Sequence, residues 1–215
     1  MIKETRTVTL NLTSNDENKM ILEGYAIVFN EETLIGDAKR GFREMIMPSA
    51  LTNTSMKDVP LKYNHMDNFL VIARTKNGSL KLEVDDKGLK IRAELLDTQT
   101  NKDIYKMVQN GLLDKMSFAF TVNAQEWDRS GDVPLRKITS IERLYDVSIV
   151  DLPAYEGTSI YSRSLDFVES ELRAMDLAKE NEKKELIRRR INLKLKLEVN
   201  KNMNLVLRKK EIEDR

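Results

Sequence analysis

The chain has 215 residues, 40% of them hydrophobic and 33% charged, with 36 basic side chains against 35 acidic ones and a formal net charge of +1. That length fits one ordinary domain plus an appendage, and the charge balance gives no general pull toward nucleic acid or membrane. Cysteine is absent and histidine occurs once, which excludes a disulfide framework, a thiolate nucleophile and Cys- or His-rich metal sites.

No apolar run reaches transmembrane length, and the first residues lack a signal-peptide pattern, so a cytoplasmic location is expected. Residues 5–12 alternate polar and apolar as a β-strand does. Residues 21–29 read as a second strand, with Gly24 marking a bulge or bend. Residues 30–41, which hold Asn30, Gly36 and Gly41, read as a loop. Pro48-Ser-Ala-Leu51 then opens a short helix, since proline is tolerated in a first turn. Val59-Pro-Leu-Lys-Tyr63 is a short apolar strand ending just before His65.

Two further strands, 69–74 and 79–84, flank Asn77-Gly78, the strongest short hairpin signal. The turn at 85–88 and the alternating run 89–95 complete an expected antiparallel meander. The period then becomes helical. Thr100-Asn-Lys-Asp103 has a capping-box-like start, Ile104, Met107 and Val108 share a face, and Gly111 supplies a stop. Residues 116–122 alternate again, and beyond the turn at 130–134 another strand pair is expected over roughly 136–150.

Near residue 164 the character changes. Residues 165–215 contain no glycine or proline and are dense in Lys, Arg and Glu, and Leu165, Val168, Leu172 and Met175 recur at helical spacing. Leu193-Lys-Leu-Lys-Leu-Glu-Val199 has a strand's period, but its helix-forming neighbours favour helix. The run Arg188-Arg-Arg190 is interleaved with acids and reads as a solvated helix face rather than a nucleic-acid contact. A domain over 1–163 and a charged helical tail over 164–215 are therefore expected.

Three residues carry candidate chemistry. Histidine is the one side chain whose unperturbed pKa lies near neutrality, and His65 is the single histidine, so histidine chemistry has to run through it. Ser117 begins a strand directly after the helix and its glycine stop, and a serine becomes a nucleophile only when a base takes its proton and a third group orients that base. Asp146 lies in an otherwise apolar strand. Each has a structural reading beside the functional one: a loop histidine that packs, a serine bonding the backbone, an acid on an exposed strand face. No nucleophile elbow, P-loop or dinucleotide fingerprint occurs.

Taken in order, several segments carry a resemblance. They are Glu23–Phe29, Gly41–Leu51, Val59–His65, Ile72–Arg74, Asp86–Leu89, Gly111, Met116–Phe120, Leu144–Tyr155 and Thr158. Together they resemble the prohead (capsid maturation) proteases of tailed bacteriophages, whose fold is similar to that of the herpesvirus assemblins. The resemblance implies that His65 matches the family's Asn-His base and Ser117 its Ser-Phe nucleophile. The family usually shows Glu-Val-Ser where this chain has Asp146-Val-Ser148, one methylene shorter; Glu142, expected on the same strand face, is the runner-up for the third place. Assemblins use a second histidine there, which this chain lacks. Milder departures are Pro48-Ser-Ala-Leu51 in place of Pro-Gly-Ala-Phe, and Ala73 and Ala119 where glycine is frequent.

The expected fold is a β-rich α+β domain, a twisted antiparallel barrel flanked by a few helices. The implied activity is that of a serine endopeptidase without metal or cofactor. Its implied substrates are the phage major capsid protein and its scaffolding segment inside the assembling procapsid, in the host cytoplasm, with self-cleavage. Homodimerisation is carried over only by analogy with the assemblins. From a different class comes the alternative of a catalytically idle capsid-assembly scaffold, which needs neither the serine nor the histidine.

Overall fold

The computed structural model describes residues 3–9, 19–36, 41–68, 71–151, 170 and 172–197. The chain divides into two compact units, Met1–Leu165 and Asp166–Arg215. The described part of the first unit is strand-rich α+β. Its strands are β1 (Glu4–Thr9), β2 (Ile21–Val28), β3 (Thr33–Ile35), β4 (Phe42–Ile46), β5 (Pro60–Tyr63), β6 (Ala73–Arg74), β7 (Leu80–Val84), β8 (Gly88–Glu94), β9 (Lys115–Asp128) and β10 (Leu135–Val150), with helix α1 (Gln99–Gln109) between β8 and β9.

The strands form two sheets. One has seven strands, in the order β1-β9-β10-β4-β3 with β5 and β6 attached through β10; the other is β2-β8-β7. Neither closes on itself among the described residues, so strand pairing does not make the expected barrel. Nor is the pairing wholly antiparallel, because β10 runs parallel to both β4 and β5.

The long antiparallel hairpin β9–β10 is the frame of the larger sheet. Residues 136–150, expected to hold two strands, belong instead to the single 16-residue β10. One edge of β10 is taken by β9. The other is shared, by β4 along Leu135–Ile138, by a bridge to Ser55 at Arg143, and by β5 along Val147–Ile149. Several register shifts interrupt the β9–β10 ladder, including one between Leu144 and Asp146. Each shift adds a residue to one strand, which bends the ladder and re-aims the side chains beyond it.

Burial explains why the two sheets pack. From the smaller sheet Leu22, Ile27, Leu89, Ile91 and Ala93, and from the larger Phe118, Phe120, Leu144, Val147 and Ile149, join one apolar core. The rings of Phe118 and Phe120, two apart on one strand face, stack at 4.9 Å. At about 1.5–3 kcal/mol per fully buried large apolar side chain, this core is the main favourable contribution to folding.

Local differences from the sequence reading have physical causes. The Asn77-Gly78 turn joins no hairpin, because β6 pairs with β5 in the larger sheet while β7 pairs with β8 in the smaller. Gly78, at φ 78°, instead ends a 3₁₀ turn over Thr75–Asn77. The stretch read as a loop at 30–41 contains β3, and Pro48–Leu51 is a 3₁₀ turn. Helix α1 begins earlier than the expected box, with Thr98 as N-cap accepting the Asn101 N–H at 3.3 Å. Its buried face is Asn101, Ile104, Tyr105 and Val108, whereas Met107 points outward.

In the second unit residues 172–197 are helical, which includes the alternating run from Leu193 to Leu197. Absence of glycine and proline favours helix there, and ion pairs at i,i+4 (Glu180–Lys184 at 2.7 Å, Glu185–Arg189 at 2.6 Å) add a few tenths of a kcal/mol each. Residues 165, 168, 198 and 199 of the expected tail lie outside the described residues. No helix among the described residues is long and apolar enough to cross a membrane.

Candidate active site

The candidate site lies where the end of β5, the start of β9 and the end of β10 meet, with β1 along the outer edge of β9. His65 occupies the turn after β5. Asn64 and His65 are both left-handed, at φ 48° and 55°, a conformation that costs an L-residue roughly 1–2 kcal/mol and that Asn and His adopt more readily than most. Main-chain bonds hold the turn: Asn64 N–H donates to Ile149 O at 2.9 Å and Met66 N–H to Tyr63 O at 3.0 Å. The Asn64 side chain accepts the Asp151 N–H at 3.3 Å.

Ser117 is the third residue of β9, 1% exposed, and stands opposite Thr7 of β1 and Ser148 of β10 in the strand register. Its Oγ lies 2.6 Å from His65 Nε2 and donates to the Arg6 carbonyl at 2.8 Å. On the other side of the ring His65 Nδ1 makes a short contact with Asp146 Oδ1. Asp146 is fully buried. Its second oxygen, Oδ2, accepts from Lys3 Nζ at 3.3 Å, and the Lys3 ammonium also lies 5.3 Å from the centre of the Tyr145 ring.

The structure therefore brings His65, Ser117 and Asp146 together, and it places Glu142 elsewhere. Glu142 is exposed and accepts from Thr121 Oγ1 at 3.2 Å. The expectation that Glu142 shares a face with Asp146 assumed unbroken alternation, which the register shifts of β10 interrupt.

Burial by itself would raise the Asp146 carboxyl, since it disfavours the charge. The hydrogen bond and charge of His65, with Lys3 and Lys62, outweigh it and hold the carboxyl below its ordinary range. An ionised Asp146 accepting Nδ1–H leaves the Nε2 lone pair facing Ser117 Oγ. In that tautomer the ring is set to accept the serine proton.

Sequence reasoning missed two parts of the surroundings. The first is a buried charge cluster beneath β1. Arg6 Nε donates to Glu44 Oε1 at 2.5 Å and Nη2 to Glu4 Oε2 at 2.5 Å, while Arg136 bonds Glu4 at 2.7 and 2.9 Å, Glu44 at 2.9 Å and Gln125 at 2.6 Å. Two guanidinium groups thus face two carboxylates, all members tied from β1, β4 and β10, and β1 is fixed with its Arg6 carbonyl on Ser117. For Glu4, burial again pushes upward, and Arg136 and Arg6 more than offset it, so its carboxyl is held low. No local pattern announces partners separated by 132 positions. The second is Ser148, whose spacing of two from Asp146 on a strand was the available signal.

A serine hydroxyl, an imidazole and a buried carboxylate in one relay are the working groups of a serine hydrolase. Residues 8–171 match the family described as caudovirus prohead serine protease, and the chain belongs to that family. No curated protein and no solved structure matches the chain significantly.

Proposed function

We propose that this protein is a serine endopeptidase whose catalytic triad is Ser117, His65 and Asp146, and that it cuts the phage major capsid protein or its scaffolding segment during prohead maturation. The carrying observation is the continuous contact from Ser117 Oγ through both ring nitrogens of His65 to Asp146, in a chain of the prohead protease family. Ser117 Oγ attacks the scissile carbonyl as its proton passes to His65 Nε2, and Asp146 holds Nδ1–H and offsets the imidazolium charge. The imidazolium returns the proton to the departing amine. Water, deprotonated by His65, then releases the acyl group from Ser117. Main-chain N–H donors must hold the developing oxyanion, and losing one such donor costs on the order of 2.7–4 kcal/mol.

The place of action follows from the same reading: the inside of an assembling procapsid in the host cytoplasm, with self-cleavage after capsid cleavage; a homodimer is carried over by analogy with the assemblins alone. The charged helix of 172–197, exposed along nearly its whole length, is suited to docking on the scaffold-like part of the capsid protein. Deletion of 165–215 is expected to abolish incorporation into procapsids; normal incorporation would refute docking.

The decisive experiment co-expresses Ser117→Ala and His65→Ala with the capsid protein and follows capsid processing on gels. Both are expected to leave the capsid protein uncut, and Glu142→Gln to leave processing unchanged. Processing that persists in both active-site variants would sink the protease reading. The idle-scaffold alternative gains no support from a preformed serine–histidine contact, since binding alone requires neither group.

A further inference from the structure

Ser148 is 0% exposed and lies on the Nδ1 side of the His65 ring, opposite Ser117 across the β9–β10 ladder and opposite Lys62 across the β10–β5 ladder. Its Oγ accepts the main-chain N–H of His65 at 3.2 Å and donates to Asp146 Oδ1 at 3.1 Å, with His65 Nδ1 also at 3.2 Å. One hydroxyl thus touches the backbone, the ring and the acid partner of the single histidine.

We propose that Ser148 is a fourth member of the relay, a positioning residue that fixes both the left-handed turn at His65 and the Nδ1-protonated tautomer of its ring. This rests on the reading of Ser117, His65 and Asp146 as the catalytic relay. A hydroxyl has a single hydrogen and two lone pairs. With its hydrogen on Asp146 Oδ1, Ser148 Oγ has a lone pair free for the His65 N–H, the donor of a turn whose φ is 55°. Near Nδ1 it then presents only lone pairs, so it rewards a ring that carries its hydrogen there. The opposite tautomer, with Nε2–H pointing at Ser117, would turn the Ser148 hydrogen toward Nδ1 and strip Asp146 Oδ1 of a donor. Among the described residues Asp146 would keep the Lys3 ammonium on its other oxygen. Ser148 therefore couples the shape of the turn to the protonation pattern that acylation requires.

Because the chain has one histidine, protein labelled with ¹⁵N-histidine gives one amide and one ring to observe. In the wild type the His65 amide is expected to exchange slowly with deuterium and the ring to be the Nδ1–H tautomer. Ser148→Ala is expected to speed amide exchange, mix in the Nε2–H tautomer and slow Ser117 labelling by a fluorophosphonate about 10- to 100-fold, the range for a displaced reacting group. Ser148→Thr and Ser148→Val have the same shape and differ in the hydroxyl, so Thr should restore the tautomer and Val should not.

An unchanged tautomer in Ser148→Ala, or a rapidly exchanging His65 amide in the wild type, overturns the proposal. The second observation needs no variant to fold. If the wild type never labels at Ser117 yet Ser148→Ala shifts the tautomer, the protease reading fails while the positioning role stands. If the wild type labels readily and Ser148→Ala alters neither labelling nor tautomer, the reverse holds.

Discussion

Ser117 Oγ has two acceptors within reach, the Arg6 carbonyl at 2.8 Å and His65 Nε2 at 2.6 Å. One hydroxyl hydrogen serves one of them at a time, so the placement of β1 bears directly on whether the serine is poised toward its base. That placement depends on the Arg6 guanidinium, which is clamped by Glu4 and Glu44.

Arg6→Ala is expected to destabilise the protein by about 3–5 kcal/mol, because it leaves two buried carboxylates to share Arg136 alone. It should also slow fluorophosphonate labelling of Ser117 as the outer strand loosens. Urea unfolding monitored by the fluorescence of the one tryptophan, Trp127, reads the stability. A loss below about 1 kcal/mol, the range of exposed pairs, would show that the cluster is solvated in solution.

Acid should destabilise the fold through Asp146 and Glu4. Both carboxyls are held below their ordinary values of 3.8 and 4.5 in the folded chain. The stability from a lowered carboxyl is fully present above the unfolded value and is lost as pH falls through the folded one. Melting temperature is therefore expected to be flat at neutral pH and to drop once pH falls below the ordinary carboxylate range, about 4. Asp146→Asn should lower the neutral plateau and shallow the acid limb, with Glu4 and the lowered surface carboxyls such as Asp58 and Asp85 supplying what slope remains. Parallel curves for wild type and variant would remove Asp146 from the account.

How much was legible in the sequence follows the range of each interaction. His65, Ser117 and Asp146 were reachable through their segments and order. Strand existence was readable where alternation is strict, as in β8, where Leu89, Ile91 and Ala93 are buried in turn. Pairing was not: the Asn77-Gly78 signal is local, but β6 and β7 are drawn into different sheets by long-range burial. Bulges in β10 are likewise invisible to a period-two count, which is why Glu142 looked like a neighbour of Asp146. The Glu4–Arg6–Glu44–Arg136 cluster depends on three strands meeting, and composition shows only that charges exist.

The left-handed pair at the histidine turn makes a conformational prediction. Asn64→Gly keeps φ 48° without steric penalty and loses the amide's hydrogen bonds to the Asp151 N–H and to Tyr63, so a change of about 1 kcal/mol is expected. Asn64→Val puts a β-branched side chain at positive φ and should cost at least about 1–2 kcal/mol, read by chemical denaturation. Equal losses in the two variants would show that the side-chain contact, rather than backbone conformation, selects asparagine.

Two glycines distinguish crowding from conformation. A Cβ at Gly88 would lie 1.9 Å from the Ile27 carbonyl oxygen, 2.9 Å from its carbon and 3.0 Å from Val28 Cα, all main-chain atoms of β2. No side chain can swing aside, so Gly88→Ala must part the β2–β8 ladder at the Val28–Gly88 pair. A Cβ at Gly78 would meet nothing within 4 Å, but its φ of 78° is left-handed. Gly78→Ala is accordingly expected to cost about 1 kcal/mol from conformation alone, and Gly88→Ala the 1–3 kcal/mol or more typical of forced overpacking, roughly. Denaturation of both variants compares them directly. Gly78→Ala emerging as the more damaging would mean that β2 and β8 do not approach so closely at Gly88.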